Sequence, residues 1–335
     1  MTKKHIYIYS PSGAVRDKAA FRRGVARLKV LGYEVEVDEA ALARHLRFAG
    51  DDATRLAAIH RATASGADVA LISRGGYGLT RLLSDIPYKK IARSIEKGML
   101  FVGISDFTAF QNALLARTGA VTWAGPALCE GFGVGGKSVS RDGKDNGKAQ
   151  LPDDIMEACF ADLVSGQGEG TGWRQNREAK PGAGRSALDA ITKPETGLSF
   201  SIKNAVTWGG NLSVLNSLLG TPYFPDVKAG ILFLEDVGEH PYRIERMLTQ
   251  LLHAGVLGRQ KAIVLGQFTE FKLTPHDRGY KFQSVVDWLR QQVKVPVLTN
   301  LPYGHVATKV LLPVGARADL LVEGRDVLLF WGHGV

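Results

Sequence analysis

Short apolar runs alternate with amphipathic helical patterns through the first third of the chain. Residues 5–10 and 68–73 are apolar runs of the length of a buried strand, and 33–37 alternates between polar and apolar positions. Residues 19–31 and 55–64 place their apolar side chains at the spacing of one helix face. Strands that alternate with helices predict a parallel sheet covered on both faces.

The unit at 99–116 carries the first candidate for chemistry. Its apolar run ends at Gly103 and Phe107 begins a helical pattern, so Ser105 lies in a turn between a strand and a helix. A hydroxyl there is at the carboxyl end of a strand, beside free helix N–H groups that can stabilise an oxyanion. On this stretch alone, capping of the helix by Ser105 or Asp106 is the more frequent role of such residues. A nucleophile requires a base and an orienting acid elsewhere in the chain.

A glycine-rich turn, Arg74-Gly-Gly-Tyr-Gly78, follows the strand predicted at 68–73 and precedes a helix predicted at 79–83. Glycine lets the backbone approach a ligand closely, and such a turn can offer N–H groups to an anion. The pattern is neither GxGxxG nor a phosphate-binding loop with Lys before Ser or Thr, so it does not favour a nucleotide site. A plain tight turn explains the glycines equally well. The next strand is predicted at 120–126.

Residues 131–195 differ from what precedes them. They are rich in glycine, carry mixed charges and show little apolar periodicity, apart from a helical pattern at 154–164. We interpret the rest as an extended, partly mobile interdomain connection. The predicted division is a first domain at 1–130, this connection, and a second domain at 196–335.

The patterns after residue 196 predict several short strands and few helices, as in a small mixed or barrel-like domain. Strands are predicted at 198–207, 230–236, 262–266, 296–299, 310–313, 317–322 and 327–331. Helices are predicted at 212–219, 242–253 and 282–292, with a turn at 209–211 before the first of them.

Composition and length describe an ordinary globular protein. A chain of 335 residues fits two domains, and 45% hydrophobic with 22% charged residues is a usual balance. No apolar run reaches the roughly 18 residues of a membrane span, and residues 1–6 do not resemble a secretory leader. We therefore expect a soluble, cytoplasmic protein with no membrane partner. Cys129 and Cys159 lie in no CxxC pair, which argues against zinc and against a disulfide framework.

The net charge of +9 raises the question of a nucleic-acid partner. The Lys and Arg residues are scattered, however, and the chain contains no recognised nucleic-acid-binding motif. A preference for anionic, carboxylate-bearing ligands fits the charge equally well. We expect no nucleic-acid partner.

Among eight histidines, the three predicted to lie in loops are the candidate bases for Ser105. They are His240, His276 and His305. His305 follows Pro302-Tyr-Gly304, just after the strand predicted at 296–299, where ordered backbone would hold an imidazole. A surface loop is an equally good interpretation.

Glu235 is the best candidate for the orienting acid. It ends the apolar run 231–234, where an unpaired carboxylate would be costly to bury. A strand that has simply ended, with Glu235 in solvent, is the alternative. Asp236 and Glu239 are rivals in the same turn.

Five short motifs follow one another along the chain: Arg74-Gly-Gly-Tyr-Gly78 with Arg81-Leu-Leu83, Gly103-Ile-Ser-Asp106, Gly209-Gly-Asn-Leu-Ser213, Leu234-Glu-Asp-Val-Gly-Glu239 with Tyr242-Arg243, and Gly304-His305. In this order and spacing, they resemble the L,D-carboxypeptidase family of serine peptidases. That family contains the murein tetrapeptide carboxypeptidases and the microcin-immunity peptidases. The similarity runs from about His5 to about Asp319, apart from the glycine-rich connection.

The resemblance implies a catalytic triad of Ser105, Glu235 and His305, with an oxyanion hole formed by the N–H groups of Gly76 and Asp106. The implied fold is an N-terminal parallel-sheet α/β domain, Rossmann or flavodoxin-like, and a smaller C-terminal β-rich domain of swivelling β/α, barrel-like character. The site would lie at their interface.

The resemblance also implies a muropeptide or other small peptide as substrate, with no metal and no cofactor. We expect Arg74, Gly75, Tyr77 and Arg243 to contact it. A homodimer is expected because two-fold dimers are the commonest oligomers.

Two features depart from the family pattern. The segment 131–195 is longer and richer in glycine than expected, and 306–308 replaces a more polar, glycine-containing continuation after His305. The alternative function within the family is hydrolysis of peptidyl or aminoacyl adenylates, for which Trp173 is a candidate aromatic platform. A loop tryptophan that packs on the body of the protein is the simpler interpretation of Trp173. The alternative outside the family is a non-catalytic, two-lobed protein that binds an anionic ligand.

Overall fold

The computed structural model describes residues 3–135, 151–176 and 199–332, with strand backbone also at Lys137–Val139 and Asp145–Ala149. Within these residues, no helix combines the length and the apolar character needed to cross a bilayer.

Strands and helices alternate along the first part of the chain as the sequence predicts. Its elements are β1 (His5–Tyr9), α1 (Lys18–Val30), β2 (Glu34–Val37), α2 (Asp52–Ala64), β3 (Val69–Ile72), a 3₁₀ turn (Leu79–Arg81), α3 (Tyr88–Glu96), β4 (Leu100–Gly103), α4 (Phe107–Thr118), β5 (Thr122–Ala124) and a π-helical turn (Leu128–Phe132).

The later described elements include four further helices and all seven strands of the second sheet. They are β6 (Lys137–Val139), β7 (Asp145–Ala149), α5 (Asp154–Ser165), β8 (Gly170–Arg174), β9 (Ser199–Asn211), α6 (Leu212–Ser217), β10 (Ile231–Val237), α7 (Pro241–His253), β11 (Ala262–Thr269), α8 (Phe282–Gln292), β12 (Val297–Leu298), β13 (Leu312–Val314), β14 (Arg317–Glu323) and β15 (Asp326–Phe330). Short 3₁₀ turns lie at Leu257–Arg259 and Pro275–Asp277.

The first sheet has six strands in the order β13-β5-β4-β3-β1-β2. Strands β2, β1, β3, β4 and β5 are parallel, which is the strand order of flavodoxin-like folds. The edge strand β13 is antiparallel to β5. The predicted parallel α/β domain is confirmed, and Ser105 follows its strand β4.

The second sheet has seven strands in the order β12-β11-β10-β9-β14-β15-β8. Strands β9 to β12 are parallel, whereas β14, β15 and β8 add to β9 in antiparallel fashion. Strands β12 and β8 are its edges among the described residues, so this sheet is mixed and open rather than closed into a barrel.

Both faces of the second sheet are covered at its centre. In β10, Ile231 and Phe233 belong to the large core that the two sheets share, while Leu232 and Leu234 belong to a second core beneath α7 and α8. Every residue from Ile231 to Asp236 is buried as a result. This explains why β10 lacks the polar and apolar alternation of a half-exposed strand.

Three local predictions were wrong, and one helix was missed. The helix predicted at 79–83 is only a 3₁₀ turn, and α3 was missed although Tyr88, Ile91 and Ile95 have helical spacing. Residues 209–211 are not a turn but the end of β9, where they pair with β10. Strand β13 lies in the first sheet rather than with β14 and β15, because Gly315, at φ +107°, turns the chain from one sheet to the other.

Part of the predicted connection is structured. The helix predicted at 154–164 is confirmed as α5, but β8 is an edge strand of the second sheet rather than a connection. Its glycines have low strand propensity, and its partner β15 lies some 150 residues further on, so no local pattern revealed it. Of 131–195, residues 136, 140–144, 150 and 177–195 lie outside the described residues. The assignment of the segment as an interdomain connection stays a prediction.

Candidate active site

Ser105 occupies a sharp turn between β4 and α4. Its φ is +66°, a left-handed conformation that non-glycine residues adopt rarely and that costs on the order of 1–3 kcal/mol. The Thr108 N–H donates to the Ser105 carbonyl oxygen over 2.9 Å and closes the turn. The Ser105 hydroxyl forms no hydrogen bond with the described residues, so it does not cap α4.

Asp106 follows Ser105 and is buried, but it does not cap α4 either. Its Oδ2 accepts hydrogen bonds from the Ser12 hydroxyl at 2.6 Å and from the Leu79 N–H at 2.9 Å. Burial raises the pKa of the Asp106 carboxyl, although the two hydrogen bonds oppose the shift. One carboxylate therefore ties together the loops that follow β1, β3 and β4. The capping interpretation of Asp106 was wrong because the carboxylate serves these longer-range contacts.

The glycine-rich turn packs against Ser105. A Cβ added at Gly75 would lie 2.6 Å from the Ser105 Cβ and 2.8 Å from its Oγ, so only glycine fits there. Gly76 has a φ of +119°. The N–H groups of Gly76 and Asp106 donate to no acceptor among the described residues, which leaves two free donors beside Ser105.

Arg55, which the sequence analysis missed, packs against the glycine-rich turn at Gly78. Its buried guanidinium donates to the Pro11 carbonyl oxygen at 3.1 Å and pairs with Asp52. It also stacks on Phe48, 4.8 Å from the ring centre. A Cβ added at Gly78 would lie 2.6 Å from the Arg55 Nη1, which explains the third glycine of the turn. An arginine on a predicted helix gave no signal of burial.

Glu235 and His305 form a hydrogen-bonded pair. His305 Nδ1 lies 2.8 Å from Glu235 Oε2, and the two side chains are 22% and 0% exposed. Burial by itself lowers the pKa of His305, but the hydrogen bond and charge of Glu235 outweigh it, so the pKa is raised. The alternative of a solvated Glu235 was wrong, because β10 continues to Val237.

Asn211 and Gly304 complete the surroundings of Glu235. The Asn211 Nδ2 donates to Glu235 Oε1 at 3.1 Å and also to Asp236 Oδ1 at 3.0 Å. Gly304 has a φ of +138°, and a Cβ there would lie 3.1 Å from Glu235 Oε2. Glycine before His305 thus lets the loop approach the carboxylate. The sequence indicated no role for Asn211 beyond its place in a motif.

The rival acids and His240 have other partners, and His276 lines a cavity that borders none of Ser105, Glu235 and His305. Asp236 is buried, accepts hydrogen bonds from the Ser213 N–H and hydroxyl, and has its pKa raised by burial. Glu239 lies 3.7 Å from Arg243. His240 lies 3.2 Å from Asp277.

The start of α4 packs directly on the end of β9, which joins the two halves of the site. The Asn211 N–H donates to the Thr108 Oγ1 at 2.9 Å, and Asn112 Nδ2 donates to the Gly209 carbonyl oxygen at 2.8 Å. A Cβ at Gly210 would lie 2.5 Å from the Thr108 Oγ1.

Thr108 also bonds to Ser105, and Asn211 also bonds to Glu235, so Ser105 and the Glu235–His305 pair flank one interface. No hydrogen bond joins Ser105 to His305 in the part of the chain that is described.

A cavity of about 520 Å³ opens at this interface. Tyr77 and Asp106 line it from the first half, and Ser213 and Tyr223 line it from the second. Tyr77, predicted to contact substrate, is 44% exposed there. Arg74 is held nearby, since its Nη1 donates to the Ala14 carbonyl oxygen at 3.3 Å and its Nε lies 3.5 Å from Glu130.

Arg243 and Trp173 lie away from this cavity. Arg243 lines a separate cavity of about 890 Å³ beside His240 and Tyr280, and none of its lining residues borders the Tyr77 cavity. Trp173 is a residue of strand β8 rather than of a loop. It is 9% exposed, and its indole N–H donates to the Thr299 carbonyl oxygen at 3.1 Å.

The loop after His305 contains a buried lysine that the sequence analysis missed. Lys309 is 3% exposed, donates to the Val306 carbonyl oxygen, and has its pKa lowered by burial. The neighbouring Thr308 hydroxyl donates to Asp153 Oδ2 at 2.6 Å and ties the loop to the start of α5. Lysine is ordinarily exposed, so no sequence pattern indicated that Lys309 is buried.

Comparison with solved structures and with curated proteins gives relatives over almost the whole chain. The muramoyltetrapeptide carboxypeptidase of Oxalobacter formigenes has a similar structure, with a TM-score of 0.79 and 37% identity, covering 98% of this chain and 99% of that chain. The murein tetrapeptide carboxypeptidase of Pseudomonas aeruginosa is 27% identical over 318 residues, or 94% of this chain and 92% of the relative. The microcin self-immunity protein MccF of Escherichia coli is 25% identical over 256 residues, or 76% of this chain and 71% of the relative.

Two family models match the two halves that build the site. The LD-carboxypeptidase N-terminal domain matches residues 6–125, and the LD-carboxypeptidase C-terminal domain matches residues 204–320. The first match contains Ser105 and the second contains Glu235 and His305. This chain belongs to the LD-carboxypeptidase family.

Proposed function

We propose that the protein is a serine-type carboxypeptidase that removes the terminal D-alanine from muropeptide tetrapeptides during peptidoglycan recycling. The observation that carries the proposal is the buried Glu235–His305 pair, which shares one interface with Ser105 in its strained turn. Serine, histidine and a carboxylate are the groups of a nucleophile, a base and its orienter.

In the first step, Ser105 Oγ attacks the carbonyl carbon of the peptide bond before D-alanine. His305 Nε2 takes the hydroxyl proton, and Glu235 stabilises the imidazolium through Nδ1. The N–H groups of Gly76 and Asp106 donate hydrogen bonds that stabilise the negative charge on the carbonyl oxygen. These N–H groups have no other acceptor among the described residues.

In the second step, His305 gives the proton to the nitrogen of D-alanine, which leaves as the free amino acid. Water then attacks the acyl-serine ester, His305 takes its proton, and Ser105 leaves with that proton restored. Hydrogen bonds in such sites are often long before substrate binds, so the absence of a Ser105–His305 bond fits this scheme.

The substrate assignment is supported by the relatives that are named murein and muramoyltetrapeptide carboxypeptidases. We further propose that Arg74, Gly75 and Tyr77 contact the peptide. Gly75 packs on Ser105, Tyr77 lines the interface cavity, and Arg74 lines the neighbouring pocket that Tyr77 also borders. Arg243 is not part of the proposal because it lines another cavity. The proposed enzyme is a cytoplasmic homodimer that uses no metal or cofactor.

Mass spectrometry of L-Ala-γ-D-Glu-meso-diaminopimelate-D-Ala after incubation with enzyme tests the proposal. We expect the wild type to release one D-alanine and folded Ser105→Ala to release none above background. Equal release by both proteins would overturn the role of Ser105. An unchanged tetrapeptide, together with cleavage of an aminoacyl sulfamoyl adenylate, would instead support the microcin-immunity activity. Turnover of neither substrate would favour a binding protein.

A further inference from the structure

Beside the glycine-rich turn lies a second pocket of about 460 Å³. It is lined by the loops that follow β1, β2 and β3, so it opens at the carboxyl edge of the first sheet, as Ser105 does. Gly76 lines the pocket, and Gly75 packs on Ser105. Tyr77 lines both this pocket and the interface cavity, so the two spaces meet at one side chain.

The charge of this pocket is one-sided. Four arginines line it, and none of its lining residues is acidic. Arg74 already has partners in Glu130 and the Ala14 carbonyl oxygen. The other three, Arg16, Arg44 and Arg47, form no ion pair or side-chain hydrogen bond with the described residues.

Side-chain packing does not explain why these arginines line one pocket. Arg16, Arg44 and Arg47 are all exposed, and the Arg47 guanidinium lies 5.6 Å from the centre of the Tyr77 ring. Like charges gathered at one concave surface repel one another unless a counter-charge is present. A concave surface of one sign also concentrates ligands of the opposite sign. Arginine in particular forms paired hydrogen bonds with carboxylate and phosphate oxygens.

We infer that the pocket formed by Arg16, Arg44, Arg47 and Arg74 binds an anionic group of the substrate, a carboxylate or a phosphate, at a distance from the bond that is cleaved. That the anionic group belongs to a hydrolysed peptide rests on the proposed function, whereas the binding of an anion by this pocket does not. The pocket itself would select substrates that carry a second negative charge besides the terminal carboxylate.

Calorimetric titration with succinate and with inorganic phosphate, at fixed ionic strength, tests the inference without any turnover. Arg44→Gln/Arg47→Gln removes two of the unpaired guanidinium groups. Arg93→Gln removes an exposed charge from α3, which does not line the pocket, and serves as the matched control. We expect wild type and control to bind at least one probe with equal affinity. The double variant should bind it about tenfold more weakly for each arginine removed.

The choice between the probes identifies the group, since binding of succinate alone points to a carboxylate and binding of phosphate alone to a phosphate. Equal affinity of all three proteins, or no binding by the wild type, would overturn the inference. The single variants Arg44→Gln and Arg47→Gln, each checked by its melting temperature, give the same answer if the double variant is unstable. Because neither probe is hydrolysed, an enzyme that fails to cleave tetrapeptide would overturn the proposed function and leave this test intact.

Discussion

Around Ser105 the first half of the chain supplies backbone groups held by glycine, whereas around His305 the second half supplies buried side chains. Gly75 and Gly76 shape the turn beside the serine, and free N–H groups of the backbone face no acceptor among the described residues. Glu235 and Asn211, by contrast, surround the imidazole with a carboxylate and its amide partner. The difference implies that the first half is sensitive to added volume and the second to altered charge.

Glu235→Gln should have the largest effect, because it removes charge and leaves volume unchanged. A neutral amide at this position cannot stabilise the imidazolium, so we expect kcat/KM to fall about 10³- to 10⁴-fold, as when the acid of a triad is removed. Tetrapeptide hydrolysis followed by mass spectrometry measures this. Asp226→Asn, an exposed carboxylate away from the site, is the control for loss of one charge. A fall of less than tenfold in Glu235→Gln would contradict the role of Glu235.

Gly75→Ala is the reverse test, since it adds volume without charge. The new Cβ would lie 2.6 Å from the Ser105 Cβ, so Ser105 or the turn must shift, and we expect about a 10²-fold loss of kcat/KM. Gly258→Ala is the matched control, because its Cβ would meet no atom within 4 Å and its φ is not positive. If the two variants have equal activity, the turn is not held as closely as the structure indicates.

The pH dependence of activity should be set by the His305–Glu235 pair in the second half of the chain. As a base, His305 must be neutral, so kcat/KM should fall as the pH decreases through its pKa, which lies above the ordinary value of about 6.5. In Glu235→Gln, the residual activity should retain its plateau to lower pH, because the hydrogen bond and charge that raise the pKa of His305 are gone. Arg93→Gln should keep the wild-type profile. An acid limb at the same pH in Glu235→Gln and wild type would contradict this assignment.

Thr308→Val should have the smallest effect. It removes the hydrogen bond to Asp153 that ties the His305 loop to α5, so we expect a loss of about 1 kcal/mol in the free energy of unfolding. A few-fold decrease in kcat should accompany it as the imidazole becomes less well placed. Thr308→Ser retains the hydroxyl and should restore both values. Urea unfolding and steady-state kinetics give the two measurements.

Local sequence patterns predicted those strands and helices whose own residues show the periodicity of the element. The alternation of apolar runs and helical spacing over 5–126 predicted strands β1 to β5, and the run before Gly103 placed Ser105 in its turn. Prediction from local patterns failed for strands that form only by pairing with a strand far away in the sequence. Strand β8 is glycine-rich and pairs with β15, and β13 leaves its sequence neighbours for the first sheet.

The sequence by itself determined the elements and the candidate groups, because helix and strand patterns and motif spacings are properties of neighbouring residues. It left Glu235, Asp236 and Glu239 as rival acids. Only the tertiary structure decided that Glu235 meets His305, across 70 residues, and that Asn211 meets Thr108, across 103. Those pairings depend on which loops the two sheets bring together and on which carboxylate is buried, and burial is set by the packing of the whole molecule.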